Sequence, residues 1–316
     1  MNDFEHSPIR ILDKELIDFF SRANKETVAF HNELNTSINH EILFCSDKFS
    51  TPSVNLFNKT ICLSMPFLDS LWCFFFAMHI LHEEIIKFSQ QNPETQNFNI
   101  QSVEVGKHYK FVINQFYSIL NNKGELDWNN EFVSPKNFSF SKQINDYIKE
   151  TNQLYIIGVS AIILHECSHI YYNHSTINKT DEEIKLEERE SDKKANSLLL
   201  ESVDISENSD KEYTIAYAII LDYLTMLFIC KSNTKIIDKT HPTIQDRIRF
   251  LFEDFIENST IYENTKISLY HLCLQVFDMF LSQRNSSLLN YDNITDVRKA
   301  FYENLDVMDK FVKSDN

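Results

Sequence analysis

A chain of 316 residues with 46 acidic against 30 basic side chains carries a formal net charge of −16. It is long enough to bury a substantial core and too acidic for non-specific attraction to nucleic acid. With only three glycines, Gly106, Gly124 and Gly158, it holds neither a glycine-rich phosphate loop nor a dinucleotide fingerprint.

In chain order, helical periodicity is expected over 11–34. Short strands follow at Ile42–Phe44 and Thr60–Leu63, around a Pro/Ser/Asn turn. An edge of that kind suits strand addition by an extended peptide. Helices are then predicted at 68–90, 107–120, 142–172, 180–201, 212–230, 242–256, 265–283 and 293–313. Polar connections fall at 91–105 and 121–141. The expected class is mainly α (α+β) with a small N-terminal β-sheet. We expect a single domain, 1–316, with a mixed α/β part at 1–66, a helical core at 67–256 and a helical C-terminal part at 257–316.

The segment Tyr213–Cys230 is apolar, but Asp222 interrupts it near the middle. A charge there is expensive in lipid, so a buried helix is expected rather than an integral membrane span. Six cysteines, Cys45, Cys62, Cys73, Cys167, Cys230 and Cys273, show no paired spacing, which reads as a reducing compartment. The first residues lack the basic-then-apolar pattern of a signal peptide. Both points predict a cytoplasmic protein.

The segment that carries chemistry is Ile162-Ile163-Leu164-His165-Glu166-Cys167-Ser168-His169, a His-Glu-x-x-His motif at the end of an apolar helix. Residues four apart share a helix face, so His165 and His169 can present two imidazole nitrogens to one metal ion, Zn2+ by donor type. Glu166 stands about 100° round the helix, where its carboxylate can act as general base on a water. The alternative is a pair of core histidines bonded to neighbours. Burying two imidazoles and a carboxylate without a metal or partners is costly. Cys167 lies on another face and reads as a packing residue.

A catalytic zinc site needs a third protein ligand. Thr180-Asp181-Glu182-Glu183 has the capping-box pattern that opens a helix. In that helix Ile184, Glu188, Asp192, Ala195 and Leu199 share one face, whose other members are apolar, so Glu188 points inward. Glu190 falls on the opposite side, and Glu187 is the fallback ligand. Asp192, one turn on, is placed to accept a bond from a metal-bound imidazole, or else to anchor an arginine. Further along, Pro242 sets His241 at a helix mouth with Arg247 about two turns inside. His241 would serve as oxyanion stabiliser, and Arg247 as the partner of Asp192. A plain His-Pro helix start with a surface arginine is the competing reading. His79, His82 and Glu83 read as ordinary helix residues.

The run Leu164-His-Glu-x-Ser-His-Ile170, the segment Glu187-Glu188-Arg189-Glu190-x-Asp192, and Thr240-His241-Pro242 with Arg247-Ile248 together resemble the Lit-type phage-exclusion peptidases. More distantly they resemble the gluzincin-like HExxH…ExxxD metallopeptidases. The apolar, Trp-containing stretch Leu68–Phe76 is similar to a helix of the Lit-type family. In these families the glutamate four residues before the aspartate is the third zinc ligand, which is Glu188 here. One departure is Leu164, where the family form has another histidine.

The resemblance implies a zincin-like helical core and an intracellular zinc endopeptidase. It further implies cleavage of translation elongation factor Tu during phage infection, set off by a phage-derived activator. In that mechanism Glu166 takes the proton of a zinc-held water and passes it to the leaving amine. Two other readings stay open at this point. In a zinc-stabilised binding or regulatory protein, His174 or His241 would close the coordination. In a zinc hydrolase of a non-protein amide, the cleft would be too narrow for an extended chain.

Overall fold

The structure, a computed structural model, describes residues 8–16, 41–45, 49–92, 98–121, 128, 131–174, 178–200, 209–232, 242–283, 286–288 and 296–314. The chain divides into two compact units, Met1–His174 and Ser175–Asn316. Most described residues are helical, with one three-stranded sheet, so the mainly α class with a small N-terminal sheet is the observed one. The helix expected over 11–34 lies outside the described residues beyond Leu16.

In the first unit, β1 (Glu41–Cys45), β2 (Ser53–Asn55) and β3 (Thr60–Ser64) form a sheet in the order β1-β3-β2. β1 runs parallel to β3, from Glu41 opposite Thr60 to Cys45 opposite Ser64, and β2 runs antiparallel to β3. The two strands expected from the sequence are therefore not joined as a hairpin. A parallel pair needs a crossover of about a dozen residues, and this crossover contains β2, whose three residues Ser-Val-Asn are too few to show alternation.

β3 leads directly into α1 (Met65–Gln91). Ser64 ends the strand and caps the helix, its Oγ accepting from the Phe67 amide at 3.3 Å, and Pro66 occupies the first turn, where no amide donor is needed. From Phe67 to Ile80 every residue of α1 is buried, so over that length it is a central helix with no solvated stripe, while its last turns reach the surface. α2 (Gly106–Leu120) packs on it, with the Phe74 and Phe116 rings 5.1 Å apart. Gly106 is required there, since a Cβ would stand 2.3 Å from the Ile100 carbonyl oxygen.

α3 (Lys142–Tyr171) packs against α1, β2 and β3. Trp72 donates from Nε1 to Asn152 Oδ1 at 2.8 Å, and Asn152 Nδ2 donates to the Pro135 carbonyl at 3.0 Å. One buried amide thus joins α1, α3 and the loop before α3.

The second unit consists of α4 (Asp181–Leu200), α5 (Ser209–Ser232), α6 (Ile244–Leu251) running into a π turn at Phe252–Ile256, α7 (Glu263–Ser282) and α8 (Val297–Ser314). α5 touches α4, α6 and α7, while α8 packs on α6 and α7. Phe252, Tyr270 and Phe301 form a ring cluster with centroids 4.5 to 4.9 Å apart.

Among the described residues three helices, Met65–Gln91, Lys142–Tyr171 and Asp210–Ile229, are long and apolar enough to cross a membrane, and 83% to 89% of their apolar windows is buried inside the protein.

Candidate functional site

α3 carries the His-Glu-x-x-His motif on its last turns. Every residue from Leu154 to Leu164 is buried, so the motif is approached along a helix held on all sides. The buried serines of this helix are satisfied locally: Ser160 Oγ donates to the Ile156 carbonyl and Ser168 Oγ to the Leu164 carbonyl, both at 2.7 Å. Glu166 and His169 are buried, and His165 is half-buried. The helix that bears the motif is therefore closely packed, and one of its two imidazoles reaches solvent.

The two motif histidines converge. Their Nε2 atoms stand 3.1 Å apart, with the ring planes 75° to one another. Two nitrogens held about 2.05 Å from a tetrahedral zinc lie about 3.3 Å apart. The observed spacing is close to that, and both ring atoms are of the type that ligates zinc. The donor chemistry fits a metal ion.

The other ring nitrogen of His169 is also engaged: Nδ1 stands 3.0 Å from Nδ1 of His174, which is itself buried. Sequence reading considered His174 only as an extra ligand. The structure puts it behind His169, on the ring edge opposite His165.

Cys167 is buried, and desolvation together with the charge of Glu166 pushes its thiol up to about 12. A thiol held neutral in this way is packing, as its helix face predicts. His79 stands 3.0 Å from Glu150 across α1 and α3, an interhelical contact away from the motif.

In the second unit, the capping box at the start of α4 is formed in full. Thr180 Oγ1 accepts from the Glu183 amide at 3.3 Å, and the Glu183 carboxylate accepts from the Thr180 amide at 2.7 Å. The Thr180 amide, with the Thr180 hydroxyl donating to the same carboxylate at 2.8 Å, holds the Glu183 carboxyl below its ordinary value. Ile184, Glu188, Asp192, Ala195 and Leu199 are all buried, so the face chosen by phase is the inward one. Glu187 is half-buried and accepts from Lys179, while Glu190 is exposed.

Arg247 of α6 grips Asp192 with two bonds: Nε donates to Oδ2 at 2.7 Å and Nη2 to Oδ1. Its guanidinium lies 4.8 Å from the centroid of the Tyr223 ring, whose hydroxyl accepts from Asn196 Nδ2 at 3.1 Å. Burial works against the charge on Arg247, but Asp192, Tyr223 and Glu188 outweigh it and hold the guanidinium above its ordinary value. Burial and the charge of Asp192 likewise raise the Tyr223 phenol, so it stays protonated. Tyr223 was missed from sequence because it sits in an apolar helical run, and Asn196 because it follows a run of charged and polar residues in which an amide gives no chemical signal.

His241 lies outside the described residues. The helix after it begins at Ile244 with Thr243 as cap, its Oγ1 accepting from the Asp246 amide at 3.1 Å.

No curated protein and no solved structure matches this chain. The family model of Peptidase U49 matches residues 61–265, nearly two-thirds of the chain, from β3 into α7. That span includes the His165/His169 motif and the α4 and α6 segments just described. The chain belongs to the Peptidase U49 family, hydrolases that act on peptide bonds.

Proposed function

We propose that this peptidase is a zinc-dependent endopeptidase in which His165, His169 and Glu188 hold the metal and Glu166 is the general base. The observation that supports it most is the 3.1 Å approach of the two Nε2 atoms at the end of a buried helix. Glu188 is taken as the third ligand because it is buried on the inward face of α4 and stands one turn before Asp192, the place of the third ligand in the families the sequence resembles.

Bound there, zinc would supply Lewis acidity to the scissile carbonyl and make a water acidic near neutral pH. Glu166 removes the proton of the attacking water and delivers it to the leaving amine. Asp192, held by Arg247, fixes the turn of α4 that presents Glu188. His241 is assigned to the developing oxyanion. β2 pairs with β3 along one side and packs on α3, which suits an extended substrate adding to its other side.

The substrate we propose is an intracellular protein, with translation elongation factor Tu as the first candidate. Its cleavage would form part of a cytoplasmic phage-defence response released by a phage-derived activator. The support for this is the resemblance carried by the motif, the Glu188/Asp192 segment and His241.

Zinc content of Glu188→Ala and Glu187→Ala, each measured by mass spectrometry of the purified protein, tests the ligand set. Loss of zinc in the first and retention in the second is expected. Retention in the first with loss in the second would move the ligand to Glu187.

A further inference from the structure

We infer that His174 is the positioning residue of the site: it accepts the Nδ1–H of His169, fixing that imidazole with Nε2 bare and turned toward His165. The inference rests on the metal reading above and names a partner that neither the motif nor helical phase supplies.

The way α3 ends delivers this side chain. Asn173 adopts φ 54°, a left-handed conformation that asparagine tolerates better than most residues. The His174 amide then donates to the His169 carbonyl at 3.0 Å and the Asn173 amide to the Ile170 carbonyl at 3.2 Å. These are the paired bonds of a Schellman stop, in which the second residue past the helix cap returns over the third residue before it. The contact between those two positions is ordinarily apolar. Here the two residues are His174 and His169, and their rings meet edge to face with Nδ1 atoms 3.0 Å apart.

Tyr172 secures the arrangement from the far side, its ring stacked on His174 at 5.5 Å and 20°. His174 is buried, so its ring has little room to turn away. A hydrogen bond between the two Nδ1 atoms needs one of them protonated. If His169 carries the proton there, its Nε2 keeps the lone pair that a metal requires. The spacing His-x-x-x-Asn-His, from His169 through Asn173 to His174, is thus a second half of the motif, read by the helix stop rather than by the helix.

Two substitutions separate acceptor from packing. His174→Phe keeps a ring against Tyr172 and removes the nitrogen; His174→Asn offers an oxygen near the position of Nδ1. Zinc affinity is measured by competition with a chelator, alongside thermal unfolding of the metal-free proteins. His174→Phe is expected to bind zinc about 10- to 100-fold more weakly with metal-free unfolding unchanged, and His174→Asn to recover most of the loss. Wild-type affinity in His174→Phe, or equal weakness in both variants, would overturn the assignment.

In zinc-loaded wild-type protein with 15N-labelled histidine, a coupling across the His169 Nδ1–H to His174 Nδ1 bond is expected. Its absence would overturn the assignment without recourse to any variant. A correctly folded wild-type protein that takes up no zinc would instead overturn the metal reading, and the role of His174 with it.

Discussion

Arg247 meets Asp192 with two parallel donors, Nε and Nη2 to the two carboxylate oxygens, across α6 and α4 of the second unit. Both side chains are largely buried, at 14% and 12% exposure, and the pair is backed by the Tyr223 ring. An ion pair so placed is costly to break from one side, because the survivor stays buried with its charge. Arg247→Ala should therefore cost about 3–5 kcal/mol in urea unfolding. Arg247→Lys should recover only part of this, since a lysine lacks the fork and the stacking plane. A loss under about 1 kcal/mol for Arg247→Ala would show that the pair is loosely held.

The helix that carries Glu188 depends on its first turn. Thr180→Ala removes the Oγ1 acceptor of the Glu183 amide, and the expected cost is about 1 kcal/mol, read from the same unfolding curves. Glu183→Gln keeps the reach to the Thr180 amide without the charge, and a smaller loss is expected.

His108 provides a pH test. It is fully buried near the start of α2 between the Phe132 and Phe140 rings, and its two ring nitrogens lack hydrogen-bond partners. Burial, with some repulsion from Lys107, lowers its pKa from 6.5 to about 4. Between these values the unfolded chain takes a proton that the folded one refuses, so the stabilisation is complete above pH 6.5 and is lost as pH falls toward 4. Wild-type stability should decline across this window by up to about 1.4 kcal/mol per pH unit more than that of His108→Phe. Parallel pH profiles would assign the slope to other groups.

The left-handed residue at the end of α3 offers a test of the helix stop. Asn173→Gly should leave stability near wild type, whereas Asn173→Val, a β-branched residue at φ 54°, should cost about 1–3 kcal/mol by thermal unfolding and displace His174. Equal stability in the two variants would show that this turn is not constrained.

These tests also mark what sequence could and could not reveal. The motif, the inward face of α4 and its capping box were legible because each depends on spacing within one helix, where period and chemistry coincide. The partner of Asp192 was harder. Phase placed the carboxylate inward equally well for an imidazole or for Arg247, and only the packing of α6 on α4 separates the two. His174 was hidden for a different reason. Its position follows from a helix stop at Asn173, and neither the 3.6-residue period nor metal-ligand spacing extends past the end of a helix. The Asn-His pair four and five residues after the motif's second histidine was the available signal. β2 escaped notice because three residues carry no alternation, and with it went the parallel pairing of β1 and β3.

The central claim is that Glu166 moves protons at a zinc held by its helix neighbours. The most direct measurement takes the wild type and Glu166→Gln, with bound zinc quantified in both, and follows elongation factor Tu by mass spectrometry in bacterial extracts with and without phage infection. The expected result is equal zinc in the two proteins, a single new cleavage of the factor by the wild type in infected extract, and a rate at least about 100-fold lower for Glu166→Gln. Full cleavage by a zinc-loaded Glu166→Gln protein would contradict the account.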